Sequence, residues 1–575
     1  MLRKPLLCLG VVALLSACNG EAPAPGSTRA PTAATTVTAP NAPVSTHSFS
    51  PEINAADFSE LVRTLASDEF EGRGPGTAGE EKAVDYIRAQ MQRTGLQPGN
   101  GDSYFQEVPM VETIVDPATA VQLQSNGQAL PMAFGNDFVI GTRSGQAEVK
   151  IDNSELVFVG YGVDAPERRW NDYGDQDWTG KTVVMFVNDP GFHTDDKKLF
   201  DGKRMTYYGR WTYKFEEAAR KGAAAALIVH DTPGAAYDWD VVKASWSGPQ
   251  YDLPLQDDPA PRLSAQGWIT GDAARTLFHN AGLDLDEAYR MASRSDFKPV
   301  PLQATFSADL RSRISEKKSR NVIGVLPGAS RADEAVVYMA HWDHLGKHEG
   351  QEGDNIYNGA IDNASGVAGI LEIADAFAHQ ERHPQRSVVF LAVTLEESGL
   401  LGSQYYVAHP TFPLEKIAGV VNIDALSNAG STRDLTVVGL GSSELEDLLN
   451  PLVEAQGRMV HGEDAPQNGI FFRSDHFSFA KAGVPALYAG SGSDLVEGGR
   501  EAGKRASEEA ARHYHQPSDE FDPAIWKLDG ILEDLQLLYG VGKELAAGSG
   551  WPNWYEGNEF KAARDRSRAA APSAQ

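Results

Sequence analysis

From Asn321 onward the sequence alternates between segments typical of strands and segments typical of helices. The strand-like segments are short and apolar, whereas the helical segments repeat their apolar residues at helical spacing. This alternation predicts a doubly wound α/β fold around a mostly parallel sheet. The predicted elements are strand 336–340, helix 365–378, strand 387–395, helix 399–408, strand 417–423, helix 443–455, strand 485–489 and helix 525–547.

Acidic and histidine side chains lie at the ends of three of these predicted strands. His341 and Asp343 follow the first strand, Glu396 and Glu397 come at the end of the second, and Asp424 ends the third. Because open α/β sheets bind ligands at the carboxyl ends of their strands, we expect these residues to meet at one edge of the sheet.

Asp362 and His515 complete this ordered set. Asp362 lies in a loop that opens a helix, and its two oxygens can bridge two ions. Two imidazoles and three carboxylates suit a pair of zinc ions, and one glutamate is left to take a proton from a metal-activated water. In His341-x-Asp343 both side chains point the same way, so Asp343 can hold the second ring nitrogen of His341. The set indicates a metal-dependent hydrolase.

Four further histidines have no comparable context in the sequence. A histidine without neighbouring ligands is more often a structural or solvated residue than a metal ligand. We therefore interpret these four as residues outside the metal site: His344, His348, His476 and His513.

Charge and cysteine content exclude several classes of function. The 575-residue chain has a formal net charge of -28, which argues against nucleic acid as a partner because phosphates would be repelled. Its two cysteines are Cys8 and Cys18, both near the N-terminus. The remaining chain has no cysteine for a disulfide, a metal ligand or a nucleophile, so a metal must be held by His, Asp and Glu.

The N-terminus has the pattern of an export signal. Arg3 and Lys4 precede an apolar stretch from Pro5 to Leu14, which is too short to span a bilayer. The following Leu-Ser-Ala-Cys18 resembles the lipobox of bacterial lipoproteins, which predicts a signal peptide over 1–17 and lipidation of Cys18. The alternative is a plain signal peptide cleaved after a small residue. Residues 18–50 are rich in Ala, Pro, Thr and Ser and predict a disordered tether.

The lipobox implies an exported protein that contacts the membrane through its lipid anchor. Asn19, rather than an aspartate, follows the cysteine. By analogy with lipoproteins, this residue favours the outer membrane or periplasm of a Gram-negative bacterium.

Taken together, the motifs resemble peptidase family M28, the co-catalytic dizinc exopeptidases, in its bacterial aminopeptidase type. The similarity extends over nearly all of the chain from about 51 to 548. The segments that carry it are Leu65-Ala-Ser-Asp-Glu-Phe-Glu-Gly-Arg-Gly74, Ala340-His-Trp-Asp-His-Leu345, Gly359-Ala-Ile-Asp-Asn-Ala-Ser-Gly366, Thr394-Leu-Glu-Glu-Ser-Gly399, Asn422-Ile-Asp-Ala425, Arg473-Ser-Asp-His-Phe477, Gly483-Val-Pro485 and Tyr514-His-Gln-Pro-Ser-Asp519.

The resemblance implies a role for each residue of the set. One zinc ion would be bound by His341, Asp362 and Asp424. The other would be bound by Asp362, Glu397 and His515, with Co²⁺ or Mn²⁺ as possible substitutes. Glu396 would be the general base, and the Tyr514 hydroxyl would help to stabilise the oxyanion. A cis peptide bond after Asp362 is also implied.

The resemblance also implies a division into domains. Residues 51–112 and 301–549 would form the peptidase domain, and residues 113–300 resemble an inserted protease-associated (PA) domain of mixed β/α structure. Residues 550–575 would be a C-terminal tail, which is charged and expected to fray from about Glu556 onward. The loop 344–357 is long for the family, which predicts that it covers the site or carries a specificity element, and Ile361 stands where an acid is common.

The leading interpretation is an aminopeptidase that removes N-terminal residues from peptide substrates. A carboxypeptidase or dipeptidase of the same family would need a basic pocket, for which Arg473 is a candidate. Glutaminyl cyclisation uses one zinc and does not require all five ligands. An inactive surface binding protein would be expected to have lost a ligand or the base. The chain contains no Gly-x-Ser-x-Gly motif, so a serine hydrolase is unsupported.

Overall fold

The computed structural model describes residues 47–116, 119–194, 196–348 and 350–570. The predicted signal peptide, Cys18 and the tether up to residue 46 lie outside these ranges. Within the described ranges, no helix combines the length and the apolar character that a membrane crossing requires.

The helices are numbered in chain order, and short 3₁₀ turns are left unnumbered. Asn54 begins the first helix by accepting hydrogen bonds from the amides of Ala56 and Asp57. The α-helices are α1 (Ala55–Leu65), α2 (Ala78–Arg93), α3 (Trp211–Arg220), α4 (Thr232–Ala235), α5 (Trp239–Ser247), α6 (Gly271–Asn280), α7 (Leu285–Ala292), α8 (Ser365–Ala378), α9 (Leu401–Ala408), α10 (Leu445–Ala455), α11 (His476–Lys481), α12 (Gly499–His513), α13 (Asp529–Ala547) and α14 (Lys561–Ala570).

The strands are numbered in the same way. They are β1 (Gln97–Pro98), β2 (Phe105–Val115), β3 (Ala120–Ser125), β4 (Gln128–Leu130), β5 (Phe138–Gly141), β6 (Glu148–Phe158), β7 (Asp164–Ala165), β8 (Trp170–Asn171), β9 (Thr182–Phe186), β10 (Ala225–Val229), β11 (Gln250–Asp252), β12 (Ala265–Ile269), β13 (Val300–Leu326), β14 (Arg331–His341), β15 (Gly346–Lys347), β16 (Ile356–Tyr357), β17 (Arg386–Val393), β18 (Ile417–Asn422), β19 (Asp434–Val437), β20 (Met459–Gly462) and β21 (Ala486–Ser491).

The central sheet of the peptidase part has four parallel strands in the order β17-β14-β18-β21. Antiparallel β13 flanks β17, and antiparallel β19 flanks β21. The chain runs from β14 through α8 to β17 on one side, and then crosses to β18 on the other. This reversal beside β14 creates the crevice in which such sheets bind ligands.

Helices cover both faces of this sheet. Along β14, Val336 and Tyr338 belong to the core that includes α1, α2, α8 and α13, whereas Val337 and Met339 face the core formed with α9 and α11. Burial on both faces explains why the parallel strands read as continuous apolar runs. The predicted doubly wound, mostly parallel sheet is confirmed.

Residues between β2 and β13 build a second sheet. Its middle strands β6, β9, β10 and β12 run parallel, and β5 pairs with β12 in the antiparallel direction. Two separate apolar clusters lie on its faces. These residues therefore have their own core, as the predicted 113–300 insert requires. Its assignment as a PA domain remains a prediction.

The 27-residue strand β13 is shared by both sheets. Its residues from 300 to 311 pair with β3 and β6 of the insert, and those from 312 to 326 pair with β2 and β17. The insert sheet thus continues past residue 300, where the sequence places the boundary. The polar composition of β13 near residues 315–320 concealed the strand from a search for apolar runs.

The prediction of a tail that frays from about Glu556 is wrong for the described residues up to 570, where Lys561–Ala570 form a helix and Phe560 is buried. Trp554 and Phe560 are buried against Phe471 and Phe477, and Trp554 donates a hydrogen bond to the Gly483 carbonyl. Composition misled because the many Ala, Arg and Lys residues outnumber the few large apolar side chains that fix the segment.

Glu372 of α8 provides a test of the helix packing against α1. It is 1% exposed, one oxygen accepts a hydrogen bond from the Asn54 amide at 2.9 Å, and the other oxygen has no partner. Burial, together with the nearby Asp57 and Asp375 carboxylates, raises the pKa of Glu372 to about 8. Between about pH 4.3 and pH 8 the folded protein therefore keeps the Glu372 carboxyl protonated. In the unfolded chain, where a glutamate has an ordinary pKa of about 4.3, the same group has lost its proton.

We predict that Glu372→Gln stabilises the protein in alkaline solution. The contribution of Glu372 to stability is fully present below the unfolded pKa and is lost as the pH rises towards 8, because a buried anion must then form. At pH 9 the free energy of unfolding of the variant should exceed that of the parent by about 1–3 kcal/mol, with little difference at pH 4. Urea unfolding at both pH values measures this, with exposed Glu381→Gln as the control. Equal effects at both pH values would contradict the explanation.

Candidate metal centre

The central strand β14 ends at His341, between the ends of β17 and β18. Glu396 and Glu397 follow β17, and Asp424 follows β18. Since these three strands are parallel, their carboxyl ends deliver all four side chains to one edge of the sheet. The structure therefore brings together the residues that the sequence places at strand ends.

The bridging residue Asp362 lies between the two histidines. One of its oxygens, Oδ1, lies 3.2 Å from His341 Nε2, and the other, Oδ2, lies 3.3 Å from His515 Nε2. The remaining predicted ligands divide in the same way. Asp424 Oδ1 is 3.2 Å from His341 Nε2, and Glu397 Oε2 is 3.0 Å from His515 Nε2. The candidate ligands thus form two groups of three residues, and the Asp362 carboxylate belongs to both.

These spacings fit zinc. Ligand atoms about 2.0–2.1 Å from a tetrahedral ion are about 3.3 Å apart, close to the separations within both groups. The donor atoms of His341, Asp362 and Asp424 all lie within 4.8 Å of one another. Nε2 of His515 faces two carboxylates but has no hydrogen-bond partner, as expected of a nitrogen aimed at a cation. The donor set and its geometry therefore fit a pair of zinc ions.

The loop that carries Asp362 has little freedom. Gly359 has a φ of 51°, and a Cβ there would lie 2.5 Å from the His344 ring. The peptide bond between Asp362 and Asn363 is cis, as the resemblance implies. The Asn363 side chain donates to the Ile423 carbonyl at 3.0 Å and accepts from the Ala425 amide at 3.2 Å, which ties this loop to the segment carrying Asp424.

Asp519 holds the same loop from the other side. Its carboxylate accepts hydrogen bonds from the amides of Ile361 at 2.9 Å and Asp362 at 3.0 Å. Asp519 lies four residues beyond His515, so one segment supplies a predicted ligand and also fixes the bridging residue. The sequence pattern contains Asp519 within a quoted motif but does not reveal this role.

Arg73 joins the remaining loops. Its buried guanidinium donates to the carbonyls of Trp342 at 2.8 Å, Asn358 at 2.6 Å and Gly359 at 2.9 Å. A further bond reaches Leu65 at 2.8 Å. Arginine thus connects the N-terminal helices with both the His341 segment and the Asp362 loop. These contacts explain why the Glu-Gly-Arg-Gly motif belongs to the site although it supplies no ligand.

The predicted contact between Asp343 and His341 needs correction. His341 Nδ1 lies 3.1 Å from the backbone carbonyl of Asp343 and 3.9 Å from its carboxylate. The carboxylate instead accepts a hydrogen bond from the Glu396 amide at 3.2 Å. β14 ends at His341, so the alternation of an extended strand no longer directs the Asp343 side chain. Asp343 therefore positions the backbone of the predicted general base.

Glu396 and Tyr514 flank the predicted ligands. Glu396 forms a close group with His341 and Glu397, in which the three donor atoms lie within 4.8 Å of one another. The Tyr514 ring stacks on His515 with 3.9 Å between ring centroids, and Tyr514 is 61% exposed. Tyr514 therefore lies at the open side of the centre, where a substrate can reach it.

The electrostatics reflect the crowding of carboxylates. Burial raises the pKa of Glu396 well above its usual value, and the anions Glu397 and Asp424 raise it further. Burial and the Asp362 anion act to raise the pKa of Glu397, but the adjacent His344 and His515 rings outweigh them and hold the value at about 2. The pKa values of the two adjacent glutamates are thus shifted in opposite directions, as expected of one metal ligand and one proton acceptor.

His344 is a site residue that the sequence reasoning missed. Its Nδ1 lies 2.6 Å from Glu397 Oε1, and His344, Asp362 and Glu397 form a third group able to hold a cation. Its ring is buried and makes an edge contact with His515, with 5.6 Å between centroids. The available signal was its position directly after Asp343, in the segment that carries His341.

The other three histidines lie outside the centre, as predicted. His348 stacks on Tyr357 in the exposed part of the β15–β16 hairpin. His513 contacts Glu509 and Ser518, and His476 is buried beside Asn422.

The hairpin that includes the long loop packs on the turn ending at Arg73. A Cβ at Gly72 would lie 2.5 Å from the Tyr357 carbonyl and 2.6 Å from the Gly346 carbonyl. The loop is thus anchored at its base beside Arg73. Arg473, the candidate for a basic pocket, precedes Ser474, whose hydroxyl donates to Asp424 Oδ2 at 2.6 Å.

Comparison with known proteins gives a family match for the part of the chain that contains this centre. Residues 321–539 match the model of Peptidase family M28, which confirms the family expected for this segment. Leupeptin-inactivating enzyme 1 of Streptomyces exfoliatus is 30% identical over 210 residues, covering 35% of this chain and 46% of that relative. Leucine aminopeptidase 2 of Arthroderma otae is 28% identical over 225 residues, covering 36% and 42%.

A solved aminopeptidase from Aneurinibacillus sp. strain AM-1 is similar with a TM-score of 0.47 and 19% sequence identity, covering 87% of this chain and 95% of that chain. The chain spans less than half the length of the curated relatives it matches.

We predict that His344→Ala weakens zinc binding without abolishing the fold. Loss of the contact to Glu397 frees that carboxylate to rotate, and partners that orient a ligand are typically worth about 10–100-fold in metal affinity. Competition with a fluorescent chelator should show one of two zinc ions bound more weakly by this factor.

His348→Ala is the matched control, because His348 lies in the following hairpin and is exposed. An unchanged zinc affinity in His344→Ala, with thermal stability equal to the parent, would exclude a role for His344 at the centre.

Proposed function

Because residues 321–539 belong to peptidase family M28, we propose that this chain is a dizinc exopeptidase that releases N-terminal residues from peptides. The observation that carries the proposal is the division of Asp362 between two histidines, at 3.2 Å and 3.3 Å. A carboxylate placed in this way can serve two ions at once, and each ion then has two further protein ligands.

Bound zinc would polarise the scissile carbonyl and make an attacking water more acidic. His341, Asp362 and Asp424 would hold one ion, and Asp362, Glu397 and His515 the other. The remaining parts of the reaction, namely proton transfer and stabilisation of the oxyanion, are carried out by side chains that do not bind the metal ions.

Glu396 is the proton carrier in this proposal. Its backbone amide is fixed by Asp343 at 3.2 Å, and its side chain lies within the group formed with His341 and Glu397. A carboxylate with a raised pKa accepts a proton from the attacking water and returns it to the leaving amine. The exposed Tyr514 hydroxyl, carried on the ring that stacks on His515, can donate to the developing oxyanion.

Removal of residues from the N-terminus is favoured by the surrounding charge. The substrate amine is a cation, and the centre presents Glu396, Asp424 and the buried Asp475 near one another. The similarity to leucine aminopeptidase 2 points the same way. A carboxypeptidase or dipeptidase remains the second candidate, since Arg473 has two guanidinium nitrogens without hydrogen-bond partners.

We further propose that the 113–300 insert is a PA-like domain and that the protein is exported and lipid-anchored at Cys18 in the outer membrane. Support for the anchor comes from the basic, apolar and small-residue pattern that ends at Cys18.

We predict that Cys18→Ala abolishes lipid labelling. Without the thiol no thioether to a lipid can form, so the protein should fail to incorporate radiolabelled fatty acid and should leave the membrane fraction. Cys8→Ala is the control, since Cys8 lies within the predicted signal peptide. Retention of the label in Cys18→Ala would disprove the anchor.

The function is tested by cleavage of a matched peptide set with free or acetylated amines and free or amidated carboxyl ends. We expect release of residues from every peptide with a free amine, loss of activity with chelator, and recovery with zinc. Release that requires a free carboxylate and ignores acetylation would instead establish the carboxypeptidase.

In the same assay Glu396→Gln should reduce kcat by about 10²–10⁴-fold while two zinc ions remain bound, because the amide cannot accept the proton. Glu454→Gln, on the exposed side of α10, is the matched control. Parent-like turnover by Glu396→Gln would remove Glu396 from the mechanism.

A further inference from the structure

The insert has a cavity of its own, which contains no residue of the metal centre. It measures about 650 Å³ and lies beside the carboxyl ends of the parallel strands β10 and β12. His230 and Asp231 follow β10 directly, and Gly271 begins α6 two residues after β12 ends. Small ligands of α/β sheets bind at this end of the strands, in cavities of about 300–1,000 Å³. The position and the size of the cavity therefore suit a small molecule.

One wall of the cavity is aromatic. Tyr289 of α7 stacks on Phe186, the last residue of β9, with 3.8 Å between ring centroids and 12° between ring planes. The ring of His193 makes an edge contact with Tyr289, with 4.8 Å between centroids. Leu285 lies one turn before Tyr289 on α7 and lines the same cavity. An apolar or aromatic side chain of a ligand can pack against this wall.

The cavity also presents charges of both signs. Arg275 of α6 and Asp286 of α7 face each other with 3.8 Å between Nη1 and Oδ1, and their side chains are 58% and 70% exposed. An exposed ion pair of this kind contributes little to stability, so each group can take a new partner at small cost. Asp231 and Arg290 add one further charge of each sign to the lining.

This balance of charges selects the class of ligand. A simple anion would be repelled by the carboxylates, and a simple cation would be repelled by the guanidinium groups. Within the described part of the chain, the groups of side chains that could hold a metal ion contain no residue of this cavity. A zwitterion satisfies both signs, because its carboxylate matches a planar guanidinium and its ammonium group matches a carboxylate.

We propose that this cavity of the insert binds free amino acids with an apolar or aromatic side chain. Arg275 holds the carboxylate of the ligand, Asp286 and Asp231 hold its ammonium group, and Tyr289 packs against its side chain. The site goes beyond the proposed function, since it shares no residue with the metal centre and does not depend on turnover. Free amino acids are also the products of an exopeptidase, which gives the insert a ligand that the same chain can supply.

The test is calorimetric titration of L-phenylalanine into the full-length protein, both loaded with zinc and freed of zinc by a chelator. We expect one saturable site in the zinc-free protein and the same site, with unchanged affinity, in the zinc-loaded protein. N-acetylphenylalanine lacks the ammonium group and phenethylamine lacks the carboxylate, so each should bind about tenfold more weakly. Binding only to the zinc-loaded protein would place the ligand at the metal centre and overturn the proposal. Absence of binding up to the solubility limit would also overturn it.

Variants locate the site. Arg275→Met and Asp286→Asn should each weaken phenylalanine binding by about tenfold in both zinc states. Arg311→Met is the matched control, because Arg311 and Asp309 form a comparably exposed pair, also at 3.8 Å, outside the cavity. It should bind phenylalanine like the parent. Since Arg275 and Asp286 are exposed, thermal unfolding of both variants should match the parent.

Parent-like binding by both Arg275→Met and Asp286→Asn would overturn the proposal, as would equal binding of phenylalanine and its two analogues. Peptide hydrolysis measured in parallel separates the cavity from the metal centre, because Arg275→Met should keep the parent's kcat. A parent that binds phenylalanine as expected but cleaves no peptide would support the cavity and disprove only the exopeptidase.

Discussion

The close approach of four carboxylates to two imidazoles is the constraint on which the rest of this structure depends. Asp362, Glu396, Glu397 and Asp424 converge in a largely buried crevice, where their mutual repulsion is weakly screened. Bound cations relieve that repulsion, because a metal ion is the largest local charge in such a site. The backbone must nevertheless hold the acids in place, which explains why so many contacts around them involve main-chain atoms.

The loops are fixed by groups that do not ligate. Arg73 donates hydrogen bonds to carbonyls of the His341 segment and of the Asp362 loop. Asp519 accepts hydrogen bonds from the amides of that loop, and Asn363 connects the loop to the end of β18. Backbone strain is concentrated in the same places: Leu395 and Ala425 have φ values of 58° and 55°. A residue outside its preferred conformation persists only where its neighbours impose it. Ligand positions are therefore determined by the scaffold.

The sequence predicts the sheet and the grouping of the candidate ligands because both depend on local pattern. Apolar runs mark buried parallel strands, and an acid or histidine at a strand end needs no long-range information. Prediction failed where a residue's role depends on the path of the chain. The strand ends at His341, and in the segment that follows the ring of His341 meets the Asp343 carbonyl while His344 reaches Glu397. Composition likewise hid the packed segment around Trp554, because few apolar residues decide its position.

The contact between the insert and the rest of the chain shows the same limit over a longer distance. Glu216 of the insert and Lys481 have no relation in the sequence, yet their side chains form an ion pair at 2.9 Å. Since β13 runs through both sheets, the two parts are joined by a continuous strand, which favours a fixed position for the insert relative to the candidate ligands.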